Sequence, residues 1–230
     1  METIPKSSLY LANIIALRTM TVLEDVLGES GLQIILTHAN LTELVKQLPP
    51  ENLGRQFDFA DYSTIFLSLE DVYGERGGRG MALRAGKTLF KDVVMHSHQV
   101  AWLESDEVHA LPEAIRLWLG MLATANVINS VLDMLVTVHT TEQFIKISVQ
   151  RCPVCWGRTS EKPDCHLLVG LLEAAAYHYS GNELLRVSEE ICMASGGDQC
   201  QFVIPLEQDL LGEESDLDDS ATPTEGKSAE

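Results

Sequence analysis

The sequence predicts an α+β protein, a single domain in which a helical N-terminal half packs on an antiparallel β-sheet in the C-terminal half. Apolar residues recur at helical spacing through most of the first half of the chain, and from Val136 the apolar period changes to two. Strands that follow one another after short turns pair antiparallel, which favours helices packed on one sheet. The domain is predicted to span residues 1–206, with its core motif at about 136–206.

Helices are predicted where apolar residues recur every three or four positions. The segment 115–132 is apolar nearly all round, which is typical of a central core helix or of a helix at a dimer interface. Arg116 and Asn126 interrupt this segment, which argues against a membrane span. The predicted helices of this half are 8–28, 40–47, 57–73, 81–94 and 115–132, with a glycine-rich loop at 74–80.

The C-terminal half is predicted to contain two hairpins and one helix. Residues 136–138 and 145–149 alternate apolar and polar side chains on either side of a short connection, which is the pattern of an antiparallel hairpin. A helix is predicted at 166–179. Residues 184–189 and 201–205 are predicted to form the second hairpin.

Composition and charge limit the partners of the protein. The net charge of −18 repels phosphates at long range, so neither nucleic acid nor an anionic membrane is an expected partner. Acidic residues are concentrated in 207–230, a segment without aromatic residues that is predicted to be a disordered tail. Five cysteines, an odd number, with no signal-like segment at the N-terminus favour a reducing cytoplasm over a disulfide framework.

Three cysteines and an acidic residue have the spacing of a metal site. Cys165 opens an apolar helical segment, Glu189 and Cys192 follow a strand-like run, and Cys200 follows a glycine turn. Zn²⁺ accepts thiolates and a carboxylate in a tetrahedral shell, and a Glu three residues before a Cys can reach the same ion. The spacing therefore predicts a zinc site, whereas the alternative is a set of buried free thiols.

A second pair of cysteines competes for this site. Cys152 and Cys155 also have metal-ligand spacing, and five cysteines cannot all bind one tetrahedral ion. These two residues are therefore alternates for the metal site. A redox dithiol is disfavoured because the pair follows a strand and precedes a loop, whereas a redox pair would open a helix.

Several runs of the sequence resemble the 4-vinyl reductase domain family. They are Cys-His-Leu-Leu-Val-Gly at 165–170, Val-Ser-Glu-Glu-Ile-Cys at 187–192 and Gly-Asp-Gln-Cys-Gln-Phe-Val-Ile at 197–204. Tyr73-Gly74 and the run 84–90 extend the resemblance over most of residues 8–206. That family contains small-molecule-binding modules, sensory domains of aromatic-responsive regulators and a protein linked to bacteriochlorophyll synthesis, and it is related to vesicle-tethering subunits.

The resemblance implies a metal site and a class of ligand. It implies a zinc ion held by three cysteines and one glutamate, and a small hydrophobic ligand, either an aromatic molecule or a tetrapyrrole. The implied zinc ligands are Cys165, Glu189, Cys192 and Cys200. The predicted ligand-binding residues are Phe144, Val169, Leu172, Ala176, Tyr179 and Val187, for each of which plain core packing is the alternative.

Three functions remain open from the sequence. The first is a zinc-stabilised small-molecule-binding protein that acts as a sensor or carrier, bacterial in origin and expected to form a homodimer. The second is an enzyme or accessory factor in vinyl-group reduction of a chlorophyll precursor. The sequence lacks the Gly-x-Gly-x-x-Gly fingerprint of a dinucleotide site, and we predict no catalytic residues. The third is a dimeric scaffold protein.

Overall fold

The fold is described by a computed structural model for residues 4–206; the predicted acidic tail, 207–230, lies outside the described residues. The α-helices are α1 (Asn13–Leu27), α2 (Glu29–His38), α3 (Thr42–Lys46), α4 (Phe59–Leu89), α5 (Asp106–His109), α6 (Glu113–Val131) and α7 (His166–Ser180). The strands are β1 (Tyr10–Ala12), β2 (Arg55–Asp58), β3 (Leu135–Thr140), β4 (Phe144–Gln150), β5 (Ser188–Ile191) and β6 (Cys200–Pro205). A π-helix spans Phe90–Val94, and 3₁₀ turns span Ala101–Glu104 and Met193–Ser195.

One four-stranded sheet of order β3-β4-β6-β5 forms the C-terminal half, and all its neighbouring strands are antiparallel. The predicted α+β class and the hairpin predicted at 136–138 and 145–149 are therefore confirmed, whereas the strand that pairs with β6 in the second hairpin is Ser188–Ile191 and not the predicted 184–189. Alternate residues of β6 are buried, because successive side chains of a strand point to opposite faces, whereas β4 also buries Ser148 between Ile147 and Val149. Ile147 faces Phe202 across the two strands, and Val149 faces Cys200. The buried face of the sheet thus ends at a cysteine.

The N-terminal segment differs from the helix predicted at 8–28. Tyr10–Ala12 forms β1, which pairs with β2, and α1 begins only at Asn13. Strands of three and four residues are too short to give a period-two pattern, so the sequence predicted neither of them. The chain also forms α2 directly after Gly28, which adopts a φ of 75° and separates the two helices.

The glycine-rich loop predicted at 74–80 is mostly helical. Gly74 alone leaves helical geometry, with φ 74° and ψ 160°, and it kinks α4 there. Beyond the kink the helix continues through the remaining glycines to Leu89. The prediction of a break was thus right at one residue and wrong for 75–80, because helical neighbours on both sides stabilise glycines that individually disfavour a helix.

Asp58 joins the N-terminal segment to the start of α4. Its Oδ1 accepts hydrogen bonds from the backbone N–H of Ala60 (2.8 Å) and Ser7 (3.0 Å) and from the Ser7 hydroxyl (2.9 Å). Its Oδ2 accepts from the N–H of Ser8 (3.3 Å). Burial acts to raise the pKa of Asp58, but these hydrogen bonds to the charged form outweigh it and hold the pKa below its ordinary value.

Replacing Asp58 with alanine is expected to lower the free energy of unfolding by about 1–3 kcal/mol, because it removes a helix cap and leaves several N–H groups without an acceptor. Chemical denaturation at neutral pH measures this loss. A depressed pKa in the folded state stabilises above the unfolded value of 3.8, so the wild-type advantage should shrink as the pH falls below it. Asp61→Ala is the control, since Asp61 forms an exposed ion pair with Lys6 and should cost under about 1 kcal/mol.

Helix α6 lies in the core and contacts both α7 and β3. Leu117 and Met121 are each 1% exposed. The Asn129 side chain donates to the carbonyl of Val136 (2.9 Å) and accepts from its N–H (2.7 Å), which fixes α6 against the sheet. Within residues 4–206, α6 is the one helix whose length and composition alone would suffice to cross a membrane, and nearly half of that stretch is buried inside the protein.

Helices α4 and α7 touch backbone to backbone. A Cβ atom added at Gly86 would lie 2.0 Å from the carbonyl oxygen of Leu167, and one at Gly170 would lie 2.1 Å from that of Leu83. Only glycine allows this approach from both sides. The contact fixes the position of α7, and therefore of the cysteine that precedes it.

Candidate metal centre and the adjoining apolar cavity

All five cysteines of the chain converge at one end of the sheet. Cys152 and Cys155 lie in the loop after β4, Cys165 precedes α7, Cys192 follows β5, and Cys200 begins β6. Each is buried, with at most 1% of its surface exposed, and none forms a disulfide. Sequence spacing predicted the convergence of three of them, and the fold adds the other two.

The distances between sulfur atoms suit a tetrahedral metal site. The Sγ atom of Cys165 lies 3.5 Å from that of Cys152, 3.8 Å from that of Cys192 and 3.6 Å from that of Cys200. The Sγ atoms of Cys155 and Cys200 are 3.4 Å apart. With Zn–S bonds of about 2.3 Å, two ligands of a regular tetrahedron lie about 3.8 Å apart. The donors therefore fit zinc, and they lie too far apart for a disulfide bond of about 2.05 Å.

Two sets of four donors meet the geometric requirement. Each set has its potential ligand atoms within 4.8 Å of one another. The first set is the predicted one, Cys165, Glu189, Cys192 and Cys200, and the second is Cys152, Cys155, Cys165 and Cys200. The structure thus brings together both the predicted ligands and their alternates, and the assignment of the metal to either set stays a prediction.

Glu189 brings a carboxylate into this cluster of thiols. Its Oε2 accepts a hydrogen bond from the backbone N–H of Cys165 (2.7 Å), whereas its Oε1 is buried without a hydrogen-bond partner among the described residues. Burial, and after it the neighbouring Cys192, raises the pKa of Glu189 to about 8. A buried carboxylate oxygen beside thiolates is stabilised by a cation, so its position supports a metal at this place.

The loop that carries Cys152 and Cys155 is held against α4 by Arg158. The Arg158 side chain is 3% exposed and pairs with Glu70, at 2.9 Å, and with Asp164. The Ser63 hydroxyl adds a hydrogen bond to the carbonyl of Val154 (3.1 Å). Asp164 directly precedes Cys165, so one buried guanidinium fixes both sides of the cysteine cluster. Sequence reasoning missed the role of Arg158, which is one of two basic residues, with Lys162, between Cys155 and Cys165.

An apolar cavity of about 50 Å³ adjoins the cysteine cluster. Both residues between Cys152 and Cys155, namely Pro153 and Val154, form part of its wall. The start of α7 contributes three leucines, and β1, α1, α4, α6 and the π-helix contribute to the other sides. The lining residues are Leu11, Ile15, Tyr62, Leu89, Val93, Val94, Val127, Ile128, Val131, Leu132, Met134, Pro153, Val154, Leu167, Leu168 and Leu171.

A surface groove of about 500 Å³ lies next to this cavity. Four residues line both spaces: Ile15, Val93, Val127 and Val131. The rest of the groove is more polar and includes Arg18, Arg55, Asp92, His96, Ser97, Gln99 and Ser130. These four apolar side chains form a wall that the groove and the cavity share.

The six residues predicted to bind a ligand lie outside the walls of both spaces. Leu172, Ala176, Tyr179 and Val187 are buried, whereas Phe144 and Val169 are half-buried. The Tyr179 ring packs edge-on against Phe90, with ring centroids 5.9 Å apart, and it lines a separate surface cavity of about 250 Å³. The binding role of these six residues stays a prediction, and the apolar cavity is a site that the sequence did not indicate.

Comparison with known proteins agrees with the motifs of the C-terminal half. Residues 145–206 match the profile of the 4-vinyl reductase domain. This segment contains nearly all of β4, the whole of α7, β5 and β6, and all five cysteines. The resemblance to the 4-vinyl reductase domain family is therefore confirmed. None of the curated proteins compared with the chain matches it.

Solved structures with a similar fold span nearly the whole domain. An H-NOX protein from K. algicida in the Fe(II) unliganded state has a TM-score of 0.52 at 12% identity, covering 88% of this chain and 100% of that one. An H-NOX protein from S. oneidensis in the Fe(II)NO state has a TM-score of 0.50 at 15% identity, covering 83% and 98%. The phenol-responsive sensory domain of the transcription activator PoxR, with phenol, gives 0.44 at 14% identity, covering 66% and 77%. At these identities the H-NOX likeness concerns the fold.

Proposed function

We propose that the protein is a small-molecule sensor module in which zinc stabilises the wall of an apolar binding cavity. This proposal rests on the loop after β4, which belongs to both the cavity and the cysteine cluster. Pro153 and Val154 line the cavity, and the cysteines on either side of them lie in the cluster. Leu167 and Leu168 likewise follow Cys165 closely and line the same cavity. A molecule that enters the cavity presses on the segments that hold the metal.

The proposed ligand is a small aromatic molecule with a polar end. The cavity alone, at about 50 Å³, is smaller than the roughly 150 Å³ of an engineered cavity that binds benzene. Cavity and groove together fall within the roughly 300–1,000 Å³ of ordinary ligand pockets. An aromatic ring in the apolar part would leave its polar group beside Arg18, His96 or Gln99 in the groove. A tetrapyrrole would have to separate the surrounding helices.

We propose zinc bound at the cysteine cluster, and not iron bound in the cavity, as the metal of this protein. A cluster of buried thiols and one carboxylate is typical of zinc ligation. The H-NOX proteins of similar fold are described with Fe(II), but among the described residues the cavity wall contains neither His nor Cys to hold iron. We therefore assign the metal to the cysteine cluster and the ligand to the cavity. Five reduced cysteines also suit the proposed location in a bacterial cytoplasm.

We propose a homodimer as the functional form. Two large apolar side chains lie at the surface, Trp102 in the 3₁₀ turn at 49% exposure and Ile115 on α6 at 42%. Light scattering of the purified protein measures the assembly directly.

A thermal-shift series with benzene, phenol and p-cresol tests the ligand site. We expect phenol and p-cresol to raise the melting temperature in proportion to the logarithm of their concentration, because they bind only the folded state. Val127→Phe should abolish these shifts, since Val127 lines both the cavity and the groove. Val45→Phe is the matched control, because Val45 lies exposed on α3 and should leave the shifts unchanged.

The same titration is repeated with cobalt in place of zinc. Co²⁺ bound by thiolates absorbs visible light, so a phenol-induced change in that spectrum would report coupling between cavity and metal. Shifts that survive Val127→Phe would move the ligand site elsewhere. No shift with any of the three compounds would contradict the sensor proposal.

A further inference from the structure

The cysteine cluster holds more donors than one metal ion can use. Six side chains converge, namely the five cysteines and Glu189, and a tetrahedral ion takes four. If one ion uses Glu189 and Cys192, then Cys152 and Cys155 remain buried without a metal. If it uses Cys152 and Cys155, then Glu189 keeps a buried oxygen that has no hydrogen-bond partner among the described residues. Either arrangement with a single ion leaves two buried donors without a metal.

The two donor sets overlap in a particular way. They share Cys165 and Cys200 and nothing else, and together they use all six donors. Two tetrahedra that share one edge have this pattern of ligands: two bridging atoms belong to both ions, and two terminal atoms belong to each. The buried end of the sheet therefore has the ligand count of two ions.

We propose that this cluster binds two zinc ions bridged by the thiolates of Cys165 and Cys200. Cys152 and Cys155 complete the shell of one ion, and Glu189 and Cys192 complete the shell of the other. This inference rests on the proposed zinc binding and adds a second ion to it.

Sulfur positions support the shared edge. The Sγ atoms of Cys165 and Cys200 lie 3.6 Å apart, close to the edge of about 3.8 Å that Zn–S bonds of about 2.3 Å require. The ion completed by Cys152 and Cys155 has its terminal sulfur atoms at similar distances from the bridging ones. The Sγ atoms of Cys152 and Cys165 are 3.5 Å apart, and those of Cys155 and Cys200 are 3.4 Å apart. On the other side, Cys192 lies 3.8 Å from Cys165. These distances, and the limit of 4.8 Å within each donor set, are compatible with two tetrahedra around the same pair of sulfur atoms.

Charge is compatible with the second ion. Two Zn²⁺ ions among five thiolates and one carboxylate leave a net charge of about −2, the value of one zinc with four thiolates, and they replace the protons that buried donors without a metal would keep. Arg158 is a buried cation beside the cluster, and it is already paired with Glu70 and Asp164. The two-ion cluster therefore leaves no more charge in the buried site than one zinc ion with four thiolates does.

Metal counting on the full-length protein tests the proposal. Native mass spectrometry after reconstitution with Zn²⁺ under reducing conditions should find two ions per chain. Cys152→Ser and Cys192→Ser each remove a terminal ligand of a different ion, so each variant should retain one ion. Ser195→Ala is the control for substitution near the cluster: Ser195 donates a hydrogen bond to the Cys192 carbonyl but is not a donor of either set, so it should keep two ions.

Titration of the wild-type protein with Co²⁺ gives a second measurement, which does not require that any variant folds. The paramagnetic signal of bound Co²⁺ should grow with the first equivalent of metal per chain. It should then fall as the second equivalent binds, because bridging thiolates couple the unpaired electrons of the two ions. One equivalent in the wild type, kept by Cys152→Ser and lost by Cys192→Ser, would overturn the two-ion cluster while leaving the zinc-stabilised sensor in place. No bound metal at all would overturn both.

Discussion

Chelation of the metal is expected to cost the protein most of its stability. Structural zinc contributes on the order of 10 kcal/mol to folding, and a domain of this kind has a total of about 5–15 kcal/mol. The cysteines come from the β4 loop, the start of α7, the end of β5 and the start of β6. Without a cation, the sulfur atoms have only weak contacts with one another, and the hydrogen bonds that Glu189 and Cys200 accept from backbone N–H groups and the ion pairs of Arg158 remain. The β5–β6 edge and the loop at 151–164 should open first.

Circular dichroism during a slow thermal ramp, before and after treatment with a strong chelator and a reductant, measures this effect. We expect a melting temperature lower by tens of degrees, or no cooperative transition. Zn²⁺ added back should restore the transition, which separates loss of metal from irreversible damage. An unchanged melting temperature in protein shown to be metal-free would contradict a structural role for the cluster.

Gly170→Ala should be among the most damaging substitutions outside the cluster. The added Cβ would lie 2.1 Å from the carbonyl oxygen of Leu83 and 2.9 Å from its Cα atom. Overpacking usually costs about 1–3 kcal/mol, because side chains move aside, but the neighbour here is helix backbone. We therefore expect a loss of about 3 kcal/mol or more in the free energy of unfolding, measured by urea denaturation.

Gly80→Ala is the matched control for this substitution. Gly80 also lies within a helix, but nothing stands within 4 Å of a Cβ built there. Alanine is the better helix former, so this variant should gain about 0.5–1 kcal/mol. Similar losses in both variants would mean that the close contact of α4 with α7 does not limit stability.

The effect of Gly170→Ala should extend to function. Leu167, Leu168 and Leu171 line the apolar cavity from α7, and Cys165 lies at the start of the same helix. A helix pushed away from α4 moves these residues together. Weaker binding of phenol and a changed Co²⁺ spectrum should therefore accompany the loss of stability.

Elements with a strong local pattern were predicted correctly. The core helix α6, the hairpin of β3 and β4, and α7 have a helical or alternating apolar period over many residues, which burial of one face imposes on any sequence. The pairing of β1 with β2 and the path of α4 through its glycines were not predicted. These features depend on partners more than 40 residues away or on neighbouring helices, and local pattern contains neither.

The sequence by itself determined the α+β class, the helices α6 and α7, the β3–β4 hairpin and the cysteines that could bind metal. It did so because the spacing of apolar residues along the chain, and the ability of a side chain to bind a metal, are properties of the residues themselves. Only the tertiary structure decided that Cys152 and Cys155 join the other three cysteines, and that Pro153 and Val154 form the wall of a cavity. Both depend on how α7 packs against α4 through Gly86 and Gly170, and distances between separate elements arise only when the whole core packs.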